Sequence, residues 1–144
     1  MEIKVFKNIP DEARKIREEV FIVEQGFKEE FDDTDGVALH IVAYDGNRAV
    51  GTCRIFTLDD KADFILGRLA VLKDYRGKGV GAFLVRSAED TACENGGKSI
   101  RLHSQTRASE FYEKQGYEIF GEIEYEEYCP HIWMKKALQP VNNI

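Results

Sequence analysis

The sequence predicts an α+β fold in which a mixed, mostly antiparallel sheet is flanked by helices. Strand-forming segments follow one another over residues 37–72 with only short turns between them. A helical pattern begins at Val80 and leads into another strand pattern, which indicates one strand–helix–strand crossover. A length of 144 residues is typical of one domain, so we expect a single domain over residues 1–144.

The N-terminal region predicts one strand and one helix. Ile3 and Val5 alternate with charged neighbours, as in a half-buried strand. Asp11 is expected to cap a helix that ends before Gly26. The apolar face of that helix is expected to contain Ala13, Ile16, Val20 and Phe21. Residues 28–36 are rich in acidic side chains and lack periodicity, so they predict a loop.

The remaining elements are predicted from turns, glycines and alternating apolar residues. Strands are expected over residues 37–44, 48–56 and 64–72, with turns at Asp45–Gly46 and around residues 59–61. The long helix from Val80 ends at Gly96–Gly97. After it we predict a strand over 99–104, a helix over 106–115, strands over 117–124 and 132–136, and a polar tail from Pro140.

Composition excludes several classes of protein. Hydrophobic residues make up 43% and charged residues 32% of the chain, as in ordinary globular proteins. No apolar run is long enough to cross a bilayer and the N-terminus does not resemble a signal peptide, so we expect a cytoplasmic protein without membrane association. Cys53, Cys93 and Cys129 form no CxxC pair and are expected to be reduced thiols. The three histidines lack ligand spacing, so no metal is expected.

Charge is distributed unevenly along the chain. The 26 acidic and 20 basic residues give a net charge of -6, which argues against a nucleic-acid partner and favours a small cationic one. Lys73, Arg76 and Lys78 nevertheless cluster around a glycine-rich turn. Such a local positive site in an acidic protein predicts an anionic ligand.

The glycine-rich turn over residues 76–81 has the features of a phosphate-binding site. A turn that opens a helix directs several backbone N–H groups and the positive end of the helix dipole towards one point. Glycines at positions 77, 79 and 81 remove side chains that would keep a diphosphate from the backbone. Arg76 and Lys78 add positive charge.

Three other roles are conceivable for this turn. A nucleotide-hydrolase P-loop requires a different spacing and is excluded. The dinucleotide fingerprint is formally matched by Gly77, Gly79 and Ala82, but residues 73–76 separate the strand from the first glycine. The glycines could also serve only as a tight entry to the helix. The choice among these depends on the rest of the chain.

Two motifs together resemble the Gcn5-related N-acetyltransferase (GNAT) superfamily. Its diphosphate loop reads [QR]-x-x-G-x-[GA], and Arg76, Gly79 and Gly81 satisfy that pattern. Residues 111–117 are similar to the downstream helix-to-strand signature of the family, and the predicted element order agrees over nearly the whole chain. More narrowly, V-F-I-V-E-Q at residues 20–25, His40, and C-P-H-I-W-M at residues 129–134 resemble the ElaA-like branch.

The resemblance implies a GNAT acyl-CoA N-acyltransferase fold and acetyl-CoA as the acyl-donor cosubstrate. It assigns to the pantetheine arm the backbone of Leu69, Ala70 and Val71. It assigns to the diphosphate the segment Arg76, Gly77, Lys78, Gly79, Val80, Gly81 and Ala82. Gln105 stands where the family often has an asparagine that touches the cofactor, and Tyr112 is the expected general acid beside the CoA sulfur.

The acceptor half of the site is less closely specified. A general base is expected to deprotonate the acceptor amine, and Glu24 and His40 are the leading candidates. Other residues that can serve as the base are His103, Glu126, Glu127 and His131. Glu24 could instead bind a cationic acceptor, and Cys129 is not favoured as a nucleophile because Pro130 separates it from His131.

The predicted function is transfer of an acetyl group from acetyl-CoA to a primary amine by direct attack, with the acceptor unidentified. A CoA-sensing module that lacks a working base is the first alternative. A dinucleotide-binding oxidoreductase is the second. The expected partners are acetyl-CoA and an amine-bearing acceptor, and members of the resembled family often form homodimers.

Overall fold

The computed structural model describes residues 1–58 and 60–139, so Asp59 of the predicted turn and the predicted tail from Pro140 lie outside the described residues. The chain divides into two compact units. The first comprises Met1–Phe56 and Gly67–Ala88, and the second comprises Thr57–Leu66 and the chain from Glu89 onward.

The predicted α+β fold with a mixed sheet is confirmed. The strands are β1 (Glu2–Phe6), β2 (Leu39–Asp45), β3 (Arg48–Thr57), β4 (Asp63–Val71), β5 (Ser99–Gln105), β6 (Glu118–Glu126) and β7 (Cys129–Ala137). The α-helices among the described residues are α1 (Asp11–Arg17), α2 (Val80–Glu94) and α3 (Ser109–Lys114). The strand order is β1-β2-β3-β4-β5-β7-β6, and β4 contributes residues to both units.

In the first unit, α1 and the helical segment that follows it pack on antiparallel strands. Strands β1, β2 and β3 pair antiparallel, as the alternating pattern and the short turn at residues 45–46 predict. The four apolar residues predicted for the first helix are all buried: Ala13, Ile16, Val20 and Phe21. Val20 and Phe21 pack in one apolar cluster with Ala70 and Leu72, so the helical segment covers the end of β4.

The first helix differs from its prediction in two ways. Pro10, in an extended conformation, occupies the N-cap position, and Asp11 is the first helical residue. Beyond Arg17 the backbone widens into a π-helical segment, Glu18–Glu24, and the N–H of the C-cap residue Gln25 donates to the carbonyl of Val20. Hydrophobic periodicity does not distinguish a π-helix from an α-helix over so few residues.

The second unit contains the parallel pair and the C-terminal hairpin. The first part of β4 pairs parallel with β5 from Asp63–Ser99 to Leu66–Leu102, which confirms the predicted crossover. Strand β7 then pairs antiparallel with both β5 and β6. The predicted helix over 106–115 is divided into a 3-10 turn, Thr106–Ala108, and the short α3.

Candidate active site

The glycine-rich turn opens α2 as predicted, and all the residues assigned to CoA between Leu69 and Ala82 lie in the first unit. The chain leaves β4, forms a 3-10 turn at Lys73–Tyr75, and passes through Gly77 (φ +76°) and Gly79 (φ +83°). A Cβ added at either glycine meets no atom within 4 Å, so the space beside the turn is open. The first-turn N–H groups of a helix have no intrahelical acceptor, so this turn fits an anionic ligand.

Close packing fixes the start of α2 against β3. A Cβ at Gly51 would lie 2.8 Å from Leu84 Cδ1, 3.1 Å from Val80 Cγ1 and 3.2 Å from the Ala70 carbonyl oxygen. Only glycine therefore allows the first turns of α2 to approach β3 and β4 this closely. Gly51 thus leaves room for the Val80 and Leu84 side chains of α2 to pack on β3.

Strand β4 changes conformation immediately before the segment assigned to the pantetheine arm. The parallel ladder with β5 ends at the Leu66–Leu102 pair, although β4 itself continues to Val71. Arg68 has a φ of +53°, a left-handed conformation that a non-glycine residue rarely adopts. Such conformations persist only when surrounding contacts hold them, and they are common at functional sites.

Three arginines of the first unit hold the acidic loop in place. Arg17 is 1% exposed, donates from Nε to Glu30 at 2.8 Å and binds both carboxylate oxygens of Asp35, at 2.8 and 3.1 Å. Arg54 pairs with Asp32 at 2.7 Å and with Asp35 at 2.9 Å. Arg68 donates to the Glu30 carbonyl at 3.1 Å and pairs with the Glu30 carboxylate at the same distance.

This charged network shifts the pKa values of its carboxyl groups in opposite directions. Burial opposes ionisation of Asp35, but the hydrogen bonds and charges of Arg17 and Arg54 outweigh it and lower the pKa to about 2. Burial dominates at Glu30 and raises the pKa of that carboxyl despite Arg68 and Arg17. Much of the negative charge of the acidic loop is therefore neutralised by arginines of the same unit.

His40, predicted as a candidate base, belongs to the same buried region. The residue is 1% exposed, and its Nε2 donates to the Asp35 backbone carbonyl at 3.0 Å. Burial lowers the pKa of His40. The His40 ring is thus held against the backbone of the acidic loop.

Glu24, the other leading candidate, contacts the glycine-rich turn. Both of its carboxylate oxygens accept hydrogen bonds from the guanidinium of Arg76, each at 2.9 Å. Nε of Arg76 also donates to the Val71 carbonyl at 3.0 Å. The structure thus joins a predicted base and a predicted phosphate ligand in one ion pair.

Tyr112 and Gln105 lie in the second unit. Tyr112, on α3, is 9% exposed, and its ring makes edge contacts with Phe111 and Tyr117 at centroid distances of 5.0 and 6.0 Å. Gln105 ends β5, opposite His131 of β7, and its side-chain oxygen accepts from Arg107 Nε at 2.8 Å.

Two histidines and a glutamate form a second cluster in this unit. His103 Nδ1 donates to the carboxylate of Glu126, and Oε2 of the same carboxylate lies 3.8 Å from His131 Nε2. The His103 ring stacks on Trp133 with centroids 4.6 Å apart. Its Nε2 is buried, makes no hydrogen bond within residues 1–58 and 60–139, and lies 3.4 Å from Glu124 Oε1.

Sequence reasoning named His103, Glu126 and His131 only among several alternatives. Alternation along β5 places His103 and Gln105 on one face, opposite the buried Ile100 and Leu102. The pairing of His103 with Glu126, however, depends on the register of β5, β7 and β6, which no local pattern in the sequence determines.

Metal-ligand clusters and membrane-spanning helices are absent from the described part of the chain. It contains no group of three or more His, Cys, Asp or Glu side chains arranged to hold a metal ion. None of its helices combines the length and the apolar character that crossing a membrane requires.

Comparison with known proteins gives consistent results. Residues 8–138 match the family described as the acetyltransferase (GNAT) domain. YjcF of Bacillus subtilis, named as an uncharacterized N-acetyltransferase, is 38% identical over 128 residues, which cover 87% of this chain and 90% of YjcF. The crystal structure of Escherichia coli ElaA superposes with a TM-score of 0.83 at 26% identity and covers 94% of this chain and 98% of ElaA.

A further structural match extends the comparison of fold. An aminoglycoside 6'-N-acetyltransferase complexed with coenzyme A has a TM-score of 0.76 at 21% identity. The match covers 99% of this chain and all of that one. At this identity the similarity shows a shared fold.

Proposed function

The chain belongs to the GNAT acetyltransferase family, and on that premise we propose that it transfers the acetyl group of acetyl-CoA to a primary amine, with the donor diphosphate bound at residues 76–82. It is an acyl-CoA-dependent N-acetyltransferase. The observation that supports the proposed donor site most strongly is the open turn at Gly77 and Gly79, which ends at the N-terminus of the 15-residue helix α2.

The donor is held mainly by backbone groups. The N–H groups of residues 77–82 bind the diphosphate, and Lys78 adds a positive charge beside them. The backbone of Leu69, Ala70 and Val71 hydrogen-bonds the pantetheine arm. One N–H of that segment stabilises the carbonyl oxygen of the thioester as negative charge develops on it. Gln105 is an additional polar contact to the donor.

Proton transfer completes the reaction. We assign Tyr112 as the acid that protonates the departing thiolate and His103 as the base that receives the proton of the acceptor amine. Because Nδ1 of His103 donates to Glu126, the lone pair of the neutral ring lies on Nε2. Nε2 is buried and lies 3.4 Å from Glu124 Oε1, and the Glu124 side chain is 63% exposed. In this proposal the Glu124 carboxylate binds the cationic acceptor and passes its proton to Nε2.

Direct attack of the amine on the thioester needs no covalent enzyme intermediate. Burial raises the pKa of Cys129, which disfavours the thiolate that a relay through this sulfur would require. Acetyl-CoA and the amine are therefore the two partners required for turnover. A cytoplasmic location and a homodimer remain part of the proposal.

Thiol release from acetyl-CoA tests the function. The purified chain is incubated with acetyl-CoA and a panel of polyamines, amino sugars, aminoglycosides and lysine peptides, and each product is identified by mass spectrometry. We expect amine-dependent thiol release and an acetylated amine. Tight CoA binding without turnover on any amine would favour the CoA-sensing alternative, and preferential stabilisation by NAD would favour the dinucleotide-binding one.

A further inference from the structure

We propose that Glu24 is a positioning residue for the diphosphate turn, acting through Arg76, and is neither the base nor the acceptor contact. This inference rests on the proposed donor site at residues 76–82. It assigns both partners of the ion pair a role that differs from the one their sequence motifs predict.

The geometry of the pair carries the inference. Nη1 and Nη2 of Arg76 donate to the two oxygens of Glu24 at 2.9 Å each, which is the parallel two-bond arrangement that fixes a guanidinium most closely. Nε of the same group donates to the Val71 carbonyl at 3.0 Å. Every nitrogen of the guanidinium therefore has a protein acceptor, and the group is held between the end of β4 and the end of the π-helical segment.

The backbone on either side explains why the turn needs this support. Arg76 is extended, with φ of -73° and ψ of 149°, and the next residue, Gly77, is left-handed. The turn beyond it is open on the side where glycine Cβ atoms would project. The Arg76 side chain is thus a fixed contact immediately before the segment whose N–H groups bind the diphosphate, and preorganised donors bind an anion more tightly than mobile ones.

The helix that carries Glu24 has an unusual backbone at this point. The π-helical segment Glu18–Glu24 ends at Glu24, and π-helical turns are rare and occur frequently at functional sites. A π turn contains more residues than an α turn, so it changes the direction in which the last side chains of the segment point. Here the last residue of the segment is the one that binds Arg76.

The competing interpretation makes opposite predictions. If Arg76 were a direct phosphate ligand restrained by Glu24, removing the Glu24 charge would release the guanidinium and tighten CoA binding. Arg76→Lys would then retain much of the affinity, because lysine binds phosphate as a point charge. If Glu24 positions the turn, both changes weaken binding, since lysine cannot form the two-bond pair.

The test is isothermal titration calorimetry with CoA on the full chain and its variants, together with kcat and KM for acetyl-CoA. We expect Glu24→Gln and Arg76→Lys each to raise the Kd for CoA by about fivefold, the scale of one partly exposed ion pair. The KM for acetyl-CoA should rise with little change in kcat. The double variant Glu24→Gln/Arg76→Gln should bind CoA no more weakly than Arg76→Gln alone.

Glu19→Gln is the matched control, because Glu19 is an exposed glutamate on the same π-helical segment, and it should leave the Kd unchanged. Tighter binding by Glu24→Gln, or wild-type affinity in both single variants, would overturn the inference and leave the proposed function intact. A fall in the kcat of Glu24→Gln with no change in the Kd for CoA would overturn the inference and support Glu24 as a catalytic residue. Failure of the wild-type chain to bind CoA would overturn both proposals. Circular dichroism melting identifies variants that do not fold.

Discussion

At the scale of single residues, charged side chains in the first unit are arranged to satisfy one another. Asp35 is the central case, because its carboxylate accepts from both Arg17 and Arg54 and its side chain is only 11% exposed. A buried ion pair contributes little net stability when intact, but loss of one partner leaves an uncompensated charge. Residues that read as an acidic loop in the sequence thus support the fold.

Asp35→Asn should lower the free energy of unfolding at neutral pH, and the difference from the wild type should become smaller in acid. The folded pKa of about 2 lies below the ordinary aspartate pKa of 3.8, so ionised Asp35 stabilises the fold above pH 3.8, and this contribution disappears as the pH falls towards 2. The shift corresponds to roughly 2 kcal/mol. Urea unfolding of wild type and variant at pH 6, 4 and 2.5 measures it.

Asp33→Asn is the control for this experiment, since Asp33 is exposed in the same 3-10 turn. The free energy of unfolding of Asp33→Asn should equal that of the wild type at each of the three pH values. A constant deficit of Asp35→Asn from pH 6 to pH 2.5 would mean that the arginines do not lower the pKa of this carboxyl.

His103→Gln should lower kcat by about a hundredfold or more, the usual contribution of a general base. Glu126→Gln should also lower kcat, because it removes the carboxylate that fixes the ring tautomer. His40→Gln, measured on the same amine, should retain most of the wild-type kcat. A fall in kcat as large as that of His103→Gln would instead support His40 as the base.

At the scale of elements, the sequence predicted those segments whose pattern is local. The alternation of Ile3 and Val5 and the glycines that open and close α2 each specify an element without reference to the rest of the chain. The π-helical segment was missed because its apolar residues also fit an α-helix. The Glu24–Arg76 pair was missed because its partners lie far apart in the chain.

Gly51→Ala tests how α2 is positioned. The added Cβ would lie 2.8 Å from Leu84 Cδ1 and 3.2 Å from the backbone oxygen of Ala70 in β4, so the Leu84 side chain must reorient or the first turns of α2 must shift. Overpacking of this kind costs about 1 to 3 kcal/mol. We expect a lower Tm and weaker CoA binding, because the helix N-terminus moves with the turn.

Gly36→Ala provides the comparison, as a Cβ there meets no atom within 4 Å and φ is not left-handed. It should match the wild type in both Tm and CoA affinity. If Gly51→Ala also binds CoA as the wild type does, the approach of α2 to β3 does not control the donor site.

At the scale of the whole molecule, net charge is a weaker guide to the ligands than the glycine-rich turn. The net charge of -6 suggests a cationic acceptor, but Glu30, Asp32 and Asp35 are paired with arginines inside the first unit. The total charge therefore says little about the acceptor. The glycine-rich turn, in contrast, is a compact local motif, and its conformation could be predicted because Gly77 and Gly79 favour left-handed backbone.

The central claim is that the turn over residues 76–82 binds the diphosphate of the acyl donor. The most direct test is calorimetric titration of CoA into Gly79→Ala and Gly46→Ala. Both glycines are left-handed and a Cβ meets no atom within 4 Å at either, so the two changes carry similar backbone strain, but only Gly79 lies in the turn. We predict that Gly79→Ala weakens CoA binding by about tenfold or more, the scale of strain in a left-handed residue, while Gly46→Ala binds as the wild type does. Equal affinity of the two variants for CoA would contradict the claim.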